Sequence, residues 1–146
     1  MRKRFDWDGF KSEISGVRFE EGKEFVASRS KDYYWYSPIL DEIFRDKIGD
    51  LVVIPSNQEQ VKKVAAAIAK YKIPLTLRGG GTGNYGQCVP LEGGVIMMMT
   101  KLNRIISFKE KSVLTESGVR ISRLDDAARS IGLELLMYPS TRRTAT

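Results

Sequence analysis

Five glycines fall within eight positions of LTLRGGGTGNYGQC, residues 75–88, directly after a short apolar run. Glycine reaches positive φ without a steric penalty and lets another group touch the backbone, at about 0.5–1 kcal/mol per position relative to alanine. The residues after the loop narrow the choice further. Pro90 and the pair Gly93 and Gly94 exclude a long helix there. A short strand must therefore end in a free-standing glycine loop. A plain surface turn fits such a polar stretch too, and the flanking sequence has to decide.

Upstream, residues 51–55, LVVIP, read as a short buried strand ended by proline. Ser56 then opens a capping box with Glu59 three residues on. Val61, Val64, Ala65 and Ile68 come next at helical spacing, which predicts an amphipathic helix over residues 57–70. Residues 74–77 form the next strand, so the chain runs strand, helix, strand: a βαβ unit with an expected right-handed crossover. The glycine loop thus leaves the carboxyl end of a parallel strand, where open α/β sheets bind ligands.

Residues 95–99 are the third strand, and the longest wholly apolar run, residues 64–69, is far short of the ~20 residues of a membrane span. Met97, Met98 and Met99 read there as adaptable core fillers. Residues 104–108 and 112–116 read as a hairpin with a charged turn. Residues 122–131 read as a helix capped by Ser122 with Asp125 and stopped by Gly132. Before residue 50 the pattern is short helical or extended pieces, with Tyr33, Tyr34, Trp35 and Tyr36 packing that segment onto the body. The layout predicts an α+β chain: an N-terminal segment over 1–50, a mostly parallel three-stranded lobe over 51–100, and a second lobe begun over 101–146.

Composition excludes several classes. With 42% hydrophobic and 29% charged residues the chain reads as globular. It has no histidine, which removes the commonest general base and metal ligand and leaves no metal site expected. One cysteine, Cys88, suits a reducing compartment and a cytoplasmic setting. No apolar segment comes after the basic start, so no secretory leader is expected. A net charge of +6 favours anionic partners. Nucleic acid is not expected, because aromatics do not interleave with the basic residues.

Three phosphate motifs compete for the loop. Gly81, Gly83 and Gly86 spell G-x-G-x-x-G, but the dinucleotide fingerprint needs a helix opening at the glycines. Gly81 and Gly86 have P-loop spacing, yet Gln87 stands where the lysine belongs. A nest survives: successive N–H groups turned inward with no helix behind them, suited to a pyrophosphate, with Arg78 adding charge at its edge.

R-G-G-G-T-G after I-P-L-T-L resembles the first diphosphate loop of FAD-linked oxidases of the vanillyl-alcohol oxidase and p-cresol methylhydroxylase type. Val53-Ile54-Pro55-Ser56 with the helix from Gln58, Gly94-Val95-Ile96 with Leu102-Asn103-Arg104-Ile105, Thr115-Glu116-Ser117-Gly118-Val119 and Tyr138-Pro139-Ser140 continue the resemblance over 51–146. The branch it is most similar to is the flavin subunit of glycolate oxidases and D-lactate dehydrogenases, with Asp32-Tyr33-Tyr34-Trp35-Tyr36-Ser37-Pro38 in support.

The resemblance implies the p-cresol methylhydroxylase-type FAD-binding domain, its first lobe complete and its second only begun. It also implies oxidation of a 2-hydroxy acid of glycolate or D-lactate type, with hydride passing to flavin N5. By the same match Arg78, Gly79, Gly80, Gly81, Thr82, Gly83 and Asn84 would hold the diphosphate. Pro139, Ser140 and the residues to Thr146 would line the flavin side. Histidyl attachment of flavin cannot occur within this chain, and Cys88 reads as a buried filler, so the expected FAD is non-covalent. The family pattern continues past residue 146, so the chain is expected to be an N-terminal part, inactive alone and completed by the rest of the enzyme or a partner subunit. No catalytic residue is assigned. The full-length enzyme is expected in the cytoplasm, with peripheral membrane association left open. The other reading is a non-catalytic nucleotide- or phosphate-binding module.

Overall fold

The computed structural model describes residues 5–146. The basic MRKR start, read from the sequence as a solvated end, lies outside the described residues. The elements in order are α1 (Trp7–Glu13), β1 (Arg18–Glu20), α2 (Lys23–Arg29), a 3-10 turn (Tyr34–Tyr36), α3 (Pro38–Phe44), β2 (Leu51–Ile54), α4 (Gln58–Tyr71) and β3 (Leu75–Arg78). Then come β4 (Val95–Met98), the hairpin β5 (Ile105–Lys109) and β6 (Ser112–Thr115), and α5 (Ile121–Arg129). The α+β class expected from the sequence is the class the chain adopts.

One sheet has the order β1-β2-β4-β3, with β2, β4 and β3 mutually parallel and β1 antiparallel at the edge. The parallel strands are those of the βαβ pattern, and β4 inserts between β2 and β3. β1 is a fourth strand, contributed by the N-terminal segment, in which Phe19 pairs with Val53. Its three residues, RFE, carry no apolar alternation to announce it.

Side chains alternate across the sheet. Leu51, Val53, Val95 and Met97 face α1 and α4, where Phe10, Ile14, Val64, Ala67 and Ile68 close a core. Val52, Ile54 and Ile96 face the other way, onto Val26 of α2. This double cover makes β2 apolar at every position. Gly94, at φ +78°, opens β4, and a Cβ there would stand 2.2 Å from the Pro74 carbonyl oxygen. Only glycine lets β3 and β4 meet that closely.

The α4 cap lies one residue later than predicted. Asn57, not Ser56, accepts from the N–H of Gln60 (2.9 Å), and Gln60 Oε1 accepts in return from the N–H of Ser56 (2.7 Å). Glu59 instead pairs with Lys62. The expected Ser122–Asp125 cap of α5 is also replaced. The N–H groups of Ile121 and Ser122 donate to the carbonyls of Ala145 (3.0 Å) and Arg142 (2.9 Å), so the C-terminal turn does the capping. Asp125 is buried and receives Arg129 and Arg142.

Of the aromatic cluster, Tyr34 is buried against Phe44, while Trp35 and Tyr36 stack on each other in solvent. No helix among the described residues is long and apolar enough to cross a membrane. Around the hairpin, Ile106, Leu114, Leu136 and Met137 are exposed.

Candidate functional site

The glycine loop leaves β3 at its carboxyl end, and no helix starts at Gly86. Its near half is pressed against the C-terminal residues. A Cβ on Gly80 would lie 2.1 Å from the Thr144 carbonyl oxygen and 3.2 Å from Ala145 Cα. The Gly80 N–H donates to Thr146 Oγ1 (3.2 Å). Gly81 turns the chain at φ +67°. Beyond that turn, the Gly83 carbonyl accepts from the N–H of Tyr33 (2.8 Å) and the Tyr85 N–H donates to Gln87 Oε1 (3.1 Å). Among the described residues, the N–H groups of Gly81, Thr82, Gly83 and Asn84 find no protein acceptor. Four consecutive N–H groups without a protein acceptor are donors available to a ligand or to water.

Beside the near half lies a cavity of about 560 Å³. Gly79, Gly80 and Met98 bring the strand ends to it, Thr144 and Thr146 the C-terminal turn, and Gly118 the approach to α5. Among the described residues five cationic side chains line it, Arg29, Arg78, Lys101, Arg120 and Arg123, with no aspartate or glutamate in the wall. An unbalanced cationic pocket in partly dehydrated surroundings selects for anions.

Arg78 is 7% exposed and sits beneath the loop. Its Nη1 donates to the carbonyls of Arg29 (3.0 Å) and Lys31 (2.6 Å) and to Cys88 Sγ (3.0 Å). Burial pulls its pKa below the ordinary arginine value, opposed by Cys88 and Asp32. The guanidinium keeps its charge under any ordinary condition. Cys88 is itself buried, and burial pushes its thiol pKa up, opposed by Arg78. It is the filler expected from the sequence, with neither the exposure nor the thiolate character of a reactive cysteine.

The structure groups the residues singled out from the sequence unevenly. Arg78, Gly79, Gly80 and Thr146 share the cationic cavity. Gly81, Thr82 and Gly83 form the arch above Arg78 and Asp32. Asn84 is exposed and lines a second cavity, about 620 Å³, with Tyr33, Tyr36, Ser37, Leu40, Tyr85 and Thr141. Pro139 and Ser140 are exposed and line neither cavity; the Pro139 carbonyl accepts from the Arg142 N–H (3.0 Å) in the turn leading to Thr146. Lys101, Arg120 and Arg123 carry no signal in the sequence. Arg120 and Arg123 stand three residues apart at the start of α5, but their approach to Lys101 and the glycine loop comes only with the tertiary packing. No group of three histidine, cysteine, aspartate or glutamate side chains among the described residues could hold a metal.

The chain is similar to known proteins in both sequence and fold. The chain is 31% identical over 130 residues to a D-lactate dehydrogenase of Archaeoglobus fulgidus, covering 88% of this chain and 26% of that one. It is 31% identical over 94 residues to the glycolate oxidase subunit GlcD of Escherichia coli, covering 63% of this chain and 19% of the relative. The chain thus spans about a quarter or less of the length of these relatives. In fold it is similar to a substrate-bound p-cresol methylhydroxylase, at TM-score 0.73 and 18% identity over 94% of this chain and 27% of that one. Residues 49–146 match the family described as FAD binding domain. That match covers about two thirds of the chain, so the chain is a member of the FAD binding domain family.

Proposed function

We propose that this chain is the N-terminal part of an FAD-dependent oxidoreductase acting on a 2-hydroxy acid of the glycolate or D-lactate type. Residues 51–100 would supply the first flavin-binding lobe and residues 101–146 the opening of the second. The observation that carries the reading is the run of unpaired N–H groups from Gly81 to Asn84 next to a cavity walled by five cations. A diphosphate suits these groups: the amides supply donors, the cations supply charge, and no aspartate or glutamate side chain among the described residues of the wall opposes an anion. FAD, when bound, supplies an acceptor for hydride at flavin N5.

In this reading Gly79 to Asn84 and Thr146 orient the diphosphate, and Arg78 contributes its charge from below the arch. Lys101, Arg120 and Arg123 close the anion site from the second lobe. Asn84 leads the cofactor toward the aromatic second cavity, where Pro139 and Ser140 approach only if the C-terminal turn moves. With Cys88 buried, FAD is held without a covalent bond. The substrate-binding groups and the catalytic base belong to the remainder of the enzyme or to a partner subunit, so the chain alone turns nothing over.

Three charge-assisted hydrogen bonds from the arch contribute about 1.5–3 kcal/mol each. Association costs about 4 kcal/mol or more. Even three bonds at the upper value, set against the smallest association cost, leave only about 5 kcal/mol, a dissociation constant of about 0.2 mM or weaker for the chain alone. Ligand-observed NMR titration with FAD, ADP and riboflavin tests this. FAD is expected to bind tightest, ADP more weakly, and riboflavin, which has no phosphate, not at all. Equal affinities for FAD and riboflavin would contradict the phosphate cup. Equal affinities for FAD and ADP would instead favour a general nucleotide-binding module.

A further inference from the structure

We propose that residues 29–34, between α2 and the 3-10 turn, are the positioning wall of the glycine loop, clamped to it through Arg78. The matched family region begins at residue 49, so of the residues involved only those of the loop, Arg78 and Cys88 fall inside it.

Three contacts converge on this clamp. Arg78 Nη1 donates to the Arg29 and Lys31 carbonyls, at 3.0 and 2.6 Å, so one guanidinium nitrogen satisfies the chain on both sides of Ser30. The Tyr33 N–H donates to the Gly83 carbonyl at 2.8 Å, across fifty positions of sequence. Asp32, 3% exposed, accepts from the Tyr34 N–H through Oδ1 (2.9 Å), while its Oδ2 lies 3.1 Å from where a Gly83 Cβ would be and has no hydrogen-bond partner among the described residues. The other end of the guanidinium, Nη2, lies 2.0 Å from where a Gly81 Cβ would be. The arch therefore rests on Arg78 at Gly81 and hangs from Tyr33 at Gly83.

The consequence is geometric. The backbone of Gly81 to Asn84 keeps its course only while both supports hold, because nothing else among the described residues pairs with that stretch. A lysine at position 78 keeps the charge but has no second terminal nitrogen to stand where Nη2 lies beneath Gly81. Arg78 is thus a positioning residue as well as a source of field. The contacts stand without a ligand; their value for cofactor binding rests on the flavin reading above.

Backbone ¹⁵N relaxation of the full chain tests it without cofactor. In the wild type, order parameters of Gly81 to Asn84 are expected near the ~0.85 of rigid backbone. Arg78→Lys and Tyr33→Pro, the second removing the N–H given to Gly83, are both expected to bring them below about 0.6 while α4 keeps its values. Both variants are expected to lose at least tenfold in FAD affinity. If the arch stays rigid in Tyr33→Pro, or if Arg78→Lys behaves as wild type in rigidity and affinity, the proposal is overturned. A wild-type chain that holds no FAD while the relaxation changes occur as stated would count against the flavin reading and support the clamp.

Discussion

Gly80→Ala is expected to lower FAD affinity at least tenfold, a change of about 1.4 kcal/mol or more. The new methyl would stand 2.1 Å from the Thr144 carbonyl oxygen and 2.9 Å from its carbon. Both are main-chain atoms, so no side-chain tip can swing aside. Loop and C-terminal turn must part by about 1 Å, an overpacking cost of roughly 1–3 kcal/mol. Separation breaks the Gly80 to Thr146 hydrogen bond and opens the cationic cavity at the point where the two lobes share it. The damage extends to α5, whose first two N–H groups depend on the carbonyls of Arg142 and Ala145. Titration of the variant beside the wild type reads the effect. Unchanged affinity would mean the near half of the loop takes no part in binding.

Phe10→Ala is expected to cost about 3–5 kcal/mol of stability, read as a shift of the urea unfolding midpoint by about 1 M or more. Phe10 is fully buried, with its ring edge-on to Trp7 at 6.0 Å and to Tyr71 at 6.3 Å. It joins α1 to α4 and to the Leu51 and Val53 face of the sheet. A loss of that size is a large share of the roughly 5–15 kcal/mol that holds an ordinary domain folded. It would establish that residues before 49 belong to the core of the first lobe. A loss under about 1 kcal/mol, the size of an ordinary surface change, would show that α1 is only loosely attached.

The parts of this architecture that could be read from the sequence are those determined locally. Residues 51–54 and 95–98 are continuous apolar runs bounded by proline or glycine, and Val61, Val64 and Ile68 mark one face of a helix, so the βαβ unit is visible at once. The absence of a helix after the loop is equally local, since Pro90 and the glycine pair beyond it forbid one. Cap positions are harder: Ser56 and Asn57 are both good cap residues, and the reciprocal bond of Gln60 selects the second. α5 needs no cap in its own sequence because carbonyls some twenty residues away serve it.

What could not be read is tertiary. Arg78 looks from the sequence like a charge at the rim of the loop, and its place beneath the arch emerges only once residues 29–33 fold over it. Lys101 in the turn after β4 and Arg120 and Arg123, three residues apart at the start of α5, stand in two separate contexts along the chain and meet at one cavity. β1 has three residues, of which only Phe19 is apolar, and its pairing with β2 is dictated by the edge it covers.

The central claim is that the amides of the glycine arch receive two linked phosphates. The direct measurement is an amide chemical-shift map of the ¹⁵N-labelled chain titrated with FAD and, separately, with inorganic pyrophosphate. The account predicts that both ligands move Gly79 to Asn84 and Thr146 most, in the same direction, and leave the hairpin at 105–115 still. Shifts confined to the hairpin or the exposed aromatic face, with the arch unmoved by pyrophosphate, would contradict it.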